Sequence, residues 1–225
     1  LFNALILLYN YLPSKDFGLA IIVLTVVIRF ILYPLSIKAL NSQKTMQALQ
    51  PKIKEIQQKY KDDREKQAKE TLELYQKEKI NPFSGLLLVF IQFPILIALY
   101  QVFNLGLKSE ELLKLYSFVA NPGGINPWFL HLVNLAEPNL IFAILAGAFQ
   151  FFQTKMLLPP AEKGKKGNDI ASMMQKQMVY FFPVITVLIL LRLPSALGLY
   201  WIISGIFSIV QQYLILGARN SNRIN

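Results

Sequence analysis

Apolar residues run almost unbroken through 17–37, FGLAIIVLTVVIRFILYPLSI. A helix of ~20 such residues crosses a bilayer. Four more apolar blocks follow, at 83–105, 139–158, 178–193 and 199–217, each bounded by turn-forming or charged residues. Between the first two, 40–81 is charged and amide-rich, with Ile53, Ile56, Tyr60, Leu72 and Tyr75 in a thin apolar seam at helical spacing. That pattern predicts a water-exposed helical hairpin, with Pro51 at a first helical position, a turn at Asp62 and Asp63, and a stop at Asn81 and Pro82. A solvated spacer is the plainer reading of the same pattern, because so narrow a seam buries little.

The opening LFNALILLYNYL is too short to span and has neither a basic n-region nor a small-residue cleavage site. It reads as an interfacial helix at 1–12, not a signal peptide. Pro13, Ser14, Lys15, Asp16 and Gly18 separate it from the first span. Residues 106–138 form a predicted loop with an aromatic patch at Trp128, Phe129 and Leu130 that suits a membrane interface. Residues 159–175, with Lys163, Lys165 and Lys166, read as a flexible basic loop whose GKKG lacks phosphate-loop spacing. A tight turn over Arg192, Pro194, Ser195 and Gly198 makes the last two spans antiparallel neighbours, and 218–225 is a short tail. The fold class expected is all-α: a polytopic membrane protein with five transmembrane helices, a helical hairpin and an N-terminal interfacial helix.

Composition agrees. Hydrophobic residues make up 54% of the 225, and charged residues 16% against ~25% in soluble domains. The net charge of +10 is concentrated in 40–81, in 159–175 and at Arg219 and Arg223, whereas Lys15, Lys108, Lys114 and Arg192 fall on the opposite side. The positive-inside rule therefore predicts an outside N-terminus and a cytoplasmic hairpin and C-terminus. Absence of cysteine removes disulfides and thiolate chemistry, and His131, the one histidine, has no second histidine or cysteine with which to bind a metal. None of the five spans contains Asp or Glu, which argues against an intramembrane protease or other enzyme.

The chemistry lies in the polar residues inside apolar blocks. Arg29 sits near the middle of the first span, where an isolated guanidinium costs ~2.5–3.5 kcal/mol on insertion scales, so it should face a hydrated or protein-lined interior. Thr25 is one turn earlier on the same face. Gln92 and Gln101 lie in the second span, Gln150 and Gln153 in the third, and Ser204 and Ser208 in the fifth. Each of these amides and hydroxyls either lines a polar groove or bonds a neighbouring helix, the usual use of such residues.

In order along the chain, Arg29, the charged hairpin, QFPILIALY, QFFQTKM, and PSALGLYW followed by QQYL resemble the YidC family of membrane protein insertases over nearly the whole chain. The sequence departs from the family pattern in showing no large extracytoplasmic domain ahead of the first span and in its PSALG turn, where a glycine soon after the proline is more usual. The resemblance implies a five-helix bundle with a groove open to cytoplasm and lipid and closed outside. That groove receives nascent hydrophobic proteins and passes them into the bacterial plasma membrane without a cofactor. It assigns the groove charge to Arg29, its neighbour to Thr25 and the LYW aromatic to Trp201. The partners expected are nascent membrane proteins, lipids, a ribosome and the Sec translocon, with no direct DNA binding. A small anion transporter or channel is the alternative, since a lone intramembrane arginine can bind an anion.

Overall fold

The computed structural model describes the backbone of residues 1–79, 84–105, 111–156 and 170–221; side chains are described for 1–79, 92–103, 112–156 and 179–215. Among these residues the chain is mostly helical: α1 (Phe2–Tyr11), α2 (Phe17–Ile31), α3 (Tyr33–Lys59), α4 (Arg64–Lys77), α5 (Ser84–Leu105), α6 (Leu140–Met156), α7 (Ile170–Leu190) and α8 (Ser195–Ser221). Two short strands, β1 (Trp128–Phe129) and β2 (Val133–Asn134), pair antiparallel within the long 106–138 connection, where the sequence pattern predicted only loop. Leu130 and His131 make the turn between them, both at positive φ.

The first apolar block is not one helix. It breaks at Leu32, and α3 leaves α2 at a bend of 62°. Pro34 has no N–H to donate to Phe30 and its ring crowds that carbonyl, so the helix cannot continue straight. The expected boundary between a span ending at 37 and a hairpin starting at 40 is therefore displaced, and 33–59 is a single helix. Pro51 lies inside α3 instead of opening a new helix, on a side exposed to water. Asp63 caps α4 by accepting from the Lys66 N–H. The expected stop at Asn81 and Pro82 lies outside the described residues, as does most of the basic 159–175 loop.

The other blocks also shift. Helix α7 starts at Ile170, inside the stretch expected to be loop, and α8 starts at Ser195, directly after the turn. Its first amides are met by the β2–α6 connection: Ser195 N–H donates to the Glu137 carbonyl and Ala196 N–H to that of Leu135. Asn139 caps α6 through the Phe142 N–H.

Pairings across helices set their directions. Phe17 meets Phe103 and Arg29 meets Gln92, so α2 and α5 are antiparallel. Phe151 packs on Tyr180, and Gly147 lies against Val187, so α6 and α7 are antiparallel. Gly198 faces Phe142 and Gly205 faces Phe149, so α6 and α8 run parallel, with the Cβ and backbone of phenylalanines on one helix set against glycines of the other, seven residues apart on each. Helices α2, α6 and α8 thus begin at one end of the bundle, where α5 and α7 finish.

That shared end is capped. Asp16, buried, accepts from the Leu19 N–H at 2.9 Å and from the Leu130 N–H at 2.6 Å, so one carboxylate both caps α2 and ties down the β1–β2 turn. Gly18 is needed beneath it, because a Cβ there would fall on the Phe129 ring. Helix α1 is pinned beside this cap by Asn10 to the Ala120 carbonyl, the Tyr116 N–H to Asn3, and the Asn126 N–H to the Tyr9 hydroxyl.

The main apolar core joins Leu5, Tyr9, Phe17, Ile21, Leu24, Leu99, Phe103, Leu135, Ala146 and Tyr200. Large apolar side chains also cover the outside: Phe93 and Ile97 on α5, Ile141 and Phe152 on α6, Phe181 and Leu188 on α7, Val210 and Tyr213 on α8. Ser195–Ile215 is long and apolar enough to cross a membrane, and the bent α2–α3 pair also qualifies.

Because Gly147 meets Val187 and the Pro183 carbonyl across the α6–α7 contact, Gly147→Leu should lower the midpoint of thermal unfolding in detergent. Overpacking of ~1–3 kcal/mol corresponds to a drop of roughly 2–12 °C at ~2–4 °C per kcal/mol. Gly124→Leu, with open space around it, should leave the midpoint in place. Equal midpoints for both variants would refute close α6–α7 packing.

Candidate functional site

Arg29 stands in the last turn of α2, three residues before the bend. Its Nη2 donates to Gln92 Oε1 at 3.4 Å, and Gln92 Nε2 donates to the Tyr200 hydroxyl at 2.8 Å, a chain that joins α2, α5 and α8. The first link is long and weak, the second short and well formed. Arg29 Nε is sealed from solvent without a hydrogen-bond partner, while the side chain as a whole is half-buried. Among the described residues no carboxylate lies within ion-pair distance of it. A cation held this way keeps most of its donor capacity for something that is not protein.

Thr25 is buried one turn earlier, and its hydroxyl donates to the Ile21 carbonyl of its own helix at 2.6 Å. Ser204 and Ser208 are buried on α8, and Ser204 Oγ has no partner. Trp201 is half-buried against the main core. Gln150 bonds across to α7, accepting from the Thr186 hydroxyl at 2.6 Å. Gln153 is half-buried one turn further along α6, and Gln101 is exposed on α5. The structure therefore brings Arg29, Gln92 and Tyr200 of α8 together, and gives Gln150 a separate bond between α6 and α7.

Four participants were not singled out from sequence: Tyr200, Thr186, Gln211 and Gln212. Tyr200, Ser204, Ser208 and Gln211 recur at helical spacing, so a polar stripe along the last apolar block was the signal that could have found them. Thr186 gave none, since a threonine in an apolar helix usually bonds its own backbone.

Polar groups turned inward and aliphatic and aromatic groups turned outward invert the arrangement of a soluble domain. The fold and the site define a helical membrane protein that keeps a cation inside its bundle. The chain belongs to the 60Kd inner membrane protein family, whose model matches residues 7–222, and that family places it in the bacterial inner membrane. Proteins named membrane protein insertase YidC are similar to it. The one from Francisella philomiragia is 38% identical over 200 residues, covering 89% of this chain and 32% of that protein. The one from Fusobacterium nucleatum is 35% identical over 201 residues, covering 89% of this chain and 86% of that protein. A crystal structure of an active YidC insertase with its first transmembrane domain resolved is 29% identical, with a TM-score of 0.60 over 89% of this chain and 42% of that one. The chain thus spans about a third of the Francisella relative. None of these three relatives is named a carrier or channel, and the small-anion alternative gains no support from them.

The geometry predicts that Gln92→Leu is the damaging substitution at this site. It strips a partner from both Arg29 and Tyr200, a cost of ~1–3 kcal/mol for stranded buried groups. Arg29→Ala, which removes the least satisfied group, should melt in detergent at or above the parent midpoint. Thermal scans of the two variants decide it: a stable Gln92→Leu beside an unfolded Arg29→Ala would reverse the assignment of which residue supports the other.

Proposed function

We propose that this protein is a membrane protein insertase, receiving nascent hydrophobic segments in a polar groove and releasing them into the bilayer. The observation that carries the reading is Arg29, half-buried among apolar helices with unused donors and, among the described residues, no facing carboxylate. The groove comprises Arg29, Thr25, Gln92, Trp201, Ser204 and Ser208, with Gln153 on its α6 wall and Gln150, bonded to Thr186, holding that wall to α7. Five helices, α2, α5, α6, α7 and α8, cross the membrane, and their alternating directions support that count.

The mechanism follows from dielectric. A nascent segment's polar tail must leave water, and a hydrated groove reaching part-way across shortens the low-dielectric path it has to cross. Arg29 attracts acidic or carbonyl-bearing tails by charge-assisted hydrogen bonds, weakly enough for release. The segment's own apolar helix slides along α6 and α8 into lipid, where burial favours it. No cofactor and no ATP enter the step. The α3–α4 hairpin, held together by polar contacts such as Lys52–Glu78 and Tyr60–Glu70, projects into the cytoplasm as the arm that meets a ribosome, targeting receptor or nascent chain, and the Sec translocon is a further partner.

The topology is tested by a single cysteine at Lys66 on α4, which should react with impermeant reagent only in inverted vesicles; labelling in intact cells would overturn the orientation. The groove is tested with two substrates that differ only in tail charge. Arg29→Lys should retain much of the insertion of both, since the charge survives although the planar fork is lost. Arg29→Ala should fail chiefly with the acidic tail. If Arg29→Ala inserts both substrates at the parent rate, the groove-charge mechanism is wrong.

A further inference from the structure

The cap over the shared end of the bundle exposes apolar side chains that neither the core nor the groove uses. Its height follows from α8. Ser195–Ile215 is long and apolar enough to cross a membrane, and its 21 residues rise about 30 Å, the thickness of a hydrocarbon core. Ser195 therefore marks one boundary of that core. The Ser195 and Ala196 N–H groups donate to the Glu137 and Leu135 carbonyls, and Asp16, at the start of α2, accepts from the Leu130 N–H, so the β1–β2 turn stands at the same boundary. Phe129 turns inward there, onto Gly18. Leu130 and Leu132 point out, Leu132 at 77% exposure, at the level where α6 begins with the exposed Leu140 and Ile141.

Helix α1, the element expected at the interface, has its apolar residues taken up inside the protein. Leu5 and Tyr9 enter the main core and Phe2, Leu8 and Leu12 pack against it, so the helix lies along the bundle end over its whole length. Ile6, on another flank, is buried against Leu112 and Val119. The outer surface of the cap is then the segment that covers α1, bonded to it through Asn3 and Asn10. That segment carries Leu113 at 80% exposure, Phe118 at 73%, and the exposed Tyr116, whose ring stands 5.5 Å from that of Phe118. Exposed cations, Lys15 and Arg192, flank the same end of the bundle. A surface in water rarely gathers so many large apolar groups, whereas leucines and aromatics at the hydrocarbon boundary, with cations at the height of headgroup phosphates, match a phospholipid leaflet. We infer that Leu113, Tyr116, Phe118, Leu130 and Leu132 insert into the leaflet at this end of the bundle, the outer one in the proposed topology, and moor the cap at a fixed depth. With Asp16 held at the boundary, the rise of α2 sets Arg29 about 20 Å further along the helix, so the mooring also fixes how deep the groove cation lies. This rests on α7 and α8 being membrane spans.

The chain has no cysteine, which makes single nitroxide labels the direct test. Leu132→Cys, Phe118→Cys, Val184→Cys and Lys69→Cys are labelled one at a time in the full chain and reconstituted into vesicles of phosphatidylcholine and phosphatidylglycerol. Spin relaxation by oxygen, which partitions into hydrocarbon, is compared with relaxation by a water-soluble nickel chelate. Val184, exposed on α7 within its apolar block, reports the bilayer, and Lys69, exposed on the polar α4, reports water. Labels at Leu132 and Phe118 should follow Val184, with the preference for oxygen over chelate inverted relative to Lys69. A preference like that of Lys69 at either site overturns the mooring, while an oxygen-preferring Val184 leaves the membrane spans standing. Shielding from both reagents at either site shows that protein covers the patch, from a second copy or another chain, and overturns it too. Loss of the oxygen preference at Val184 overturns the spans and the mooring together. Leu130→Cys and Tyr116→Cys replace any labelled variant that melts below the parent and decide in the same way.

Discussion

A guanidinium inside an apolar bundle is the constraint to which the rest of the structure answers. Lipid cannot solvate Arg29, so α2 must turn it towards other helices, and those helices must offer it polar atoms. They offer little. Gln92 reaches it at 3.4 Å and spends its stronger bond on Tyr200, and nothing anionic faces it among the described residues. A purely structural arginine would have been neutralised or fully bonded, because a stranded buried charge is among the costliest features a fold can carry. Incomplete satisfaction is what would leave the charge available to a passing chain in the proposed function.

The two ends of the bundle are built differently. Where α2, α6 and α8 begin, Asp16, the β1–β2 turn, α1 and the 112–126 segment interlock through buried side chains and main-chain bonds. At the opposite end α2 gives way to α3 at a bend of 62° and the polar hairpin departs. Gly147, Gly198 and Gly205 let α6 approach α7 and α8 closely.

Polar groups in such a bundle divide by whether a neighbour already uses them. Gln150 and Thr186 satisfy each other and hold α6 to α7; Thr25 satisfies its own helix. On α8 the Tyr200 hydroxyl accepts from Gln92, whereas Ser204 Oγ, Gln211 Nε2 and Gln212 Oε1 find no partner among the described residues. Residues of one chemical type and one apparent context in sequence thus differ in whether the fold satisfies them.

Much of this was legible in the sequence. The apolar blocks each contain a helix, the charged stretch holds most of α3 and all of α4, and Arg29 and Thr25 share a face of α2, because hydrophobic periodicity and helical spacing are local properties of the chain. The resemblance carried by QFPILIALY and PSALGLYW led to the correct family for a different reason, since those motifs record the fold as a whole. What sequence could not decide were the partners of each polar group. That Gln92 bridges Arg29 to Tyr200 across separations of 63 and 108 residues, that Asp16 reaches Leu130, and that the first helix breaks at Leu32 with Pro34 carrying the new direction all depend on how distant elements meet. Hydrogen bonds between helices are set by packing register, and register is a property of the assembled bundle, not of any segment within it.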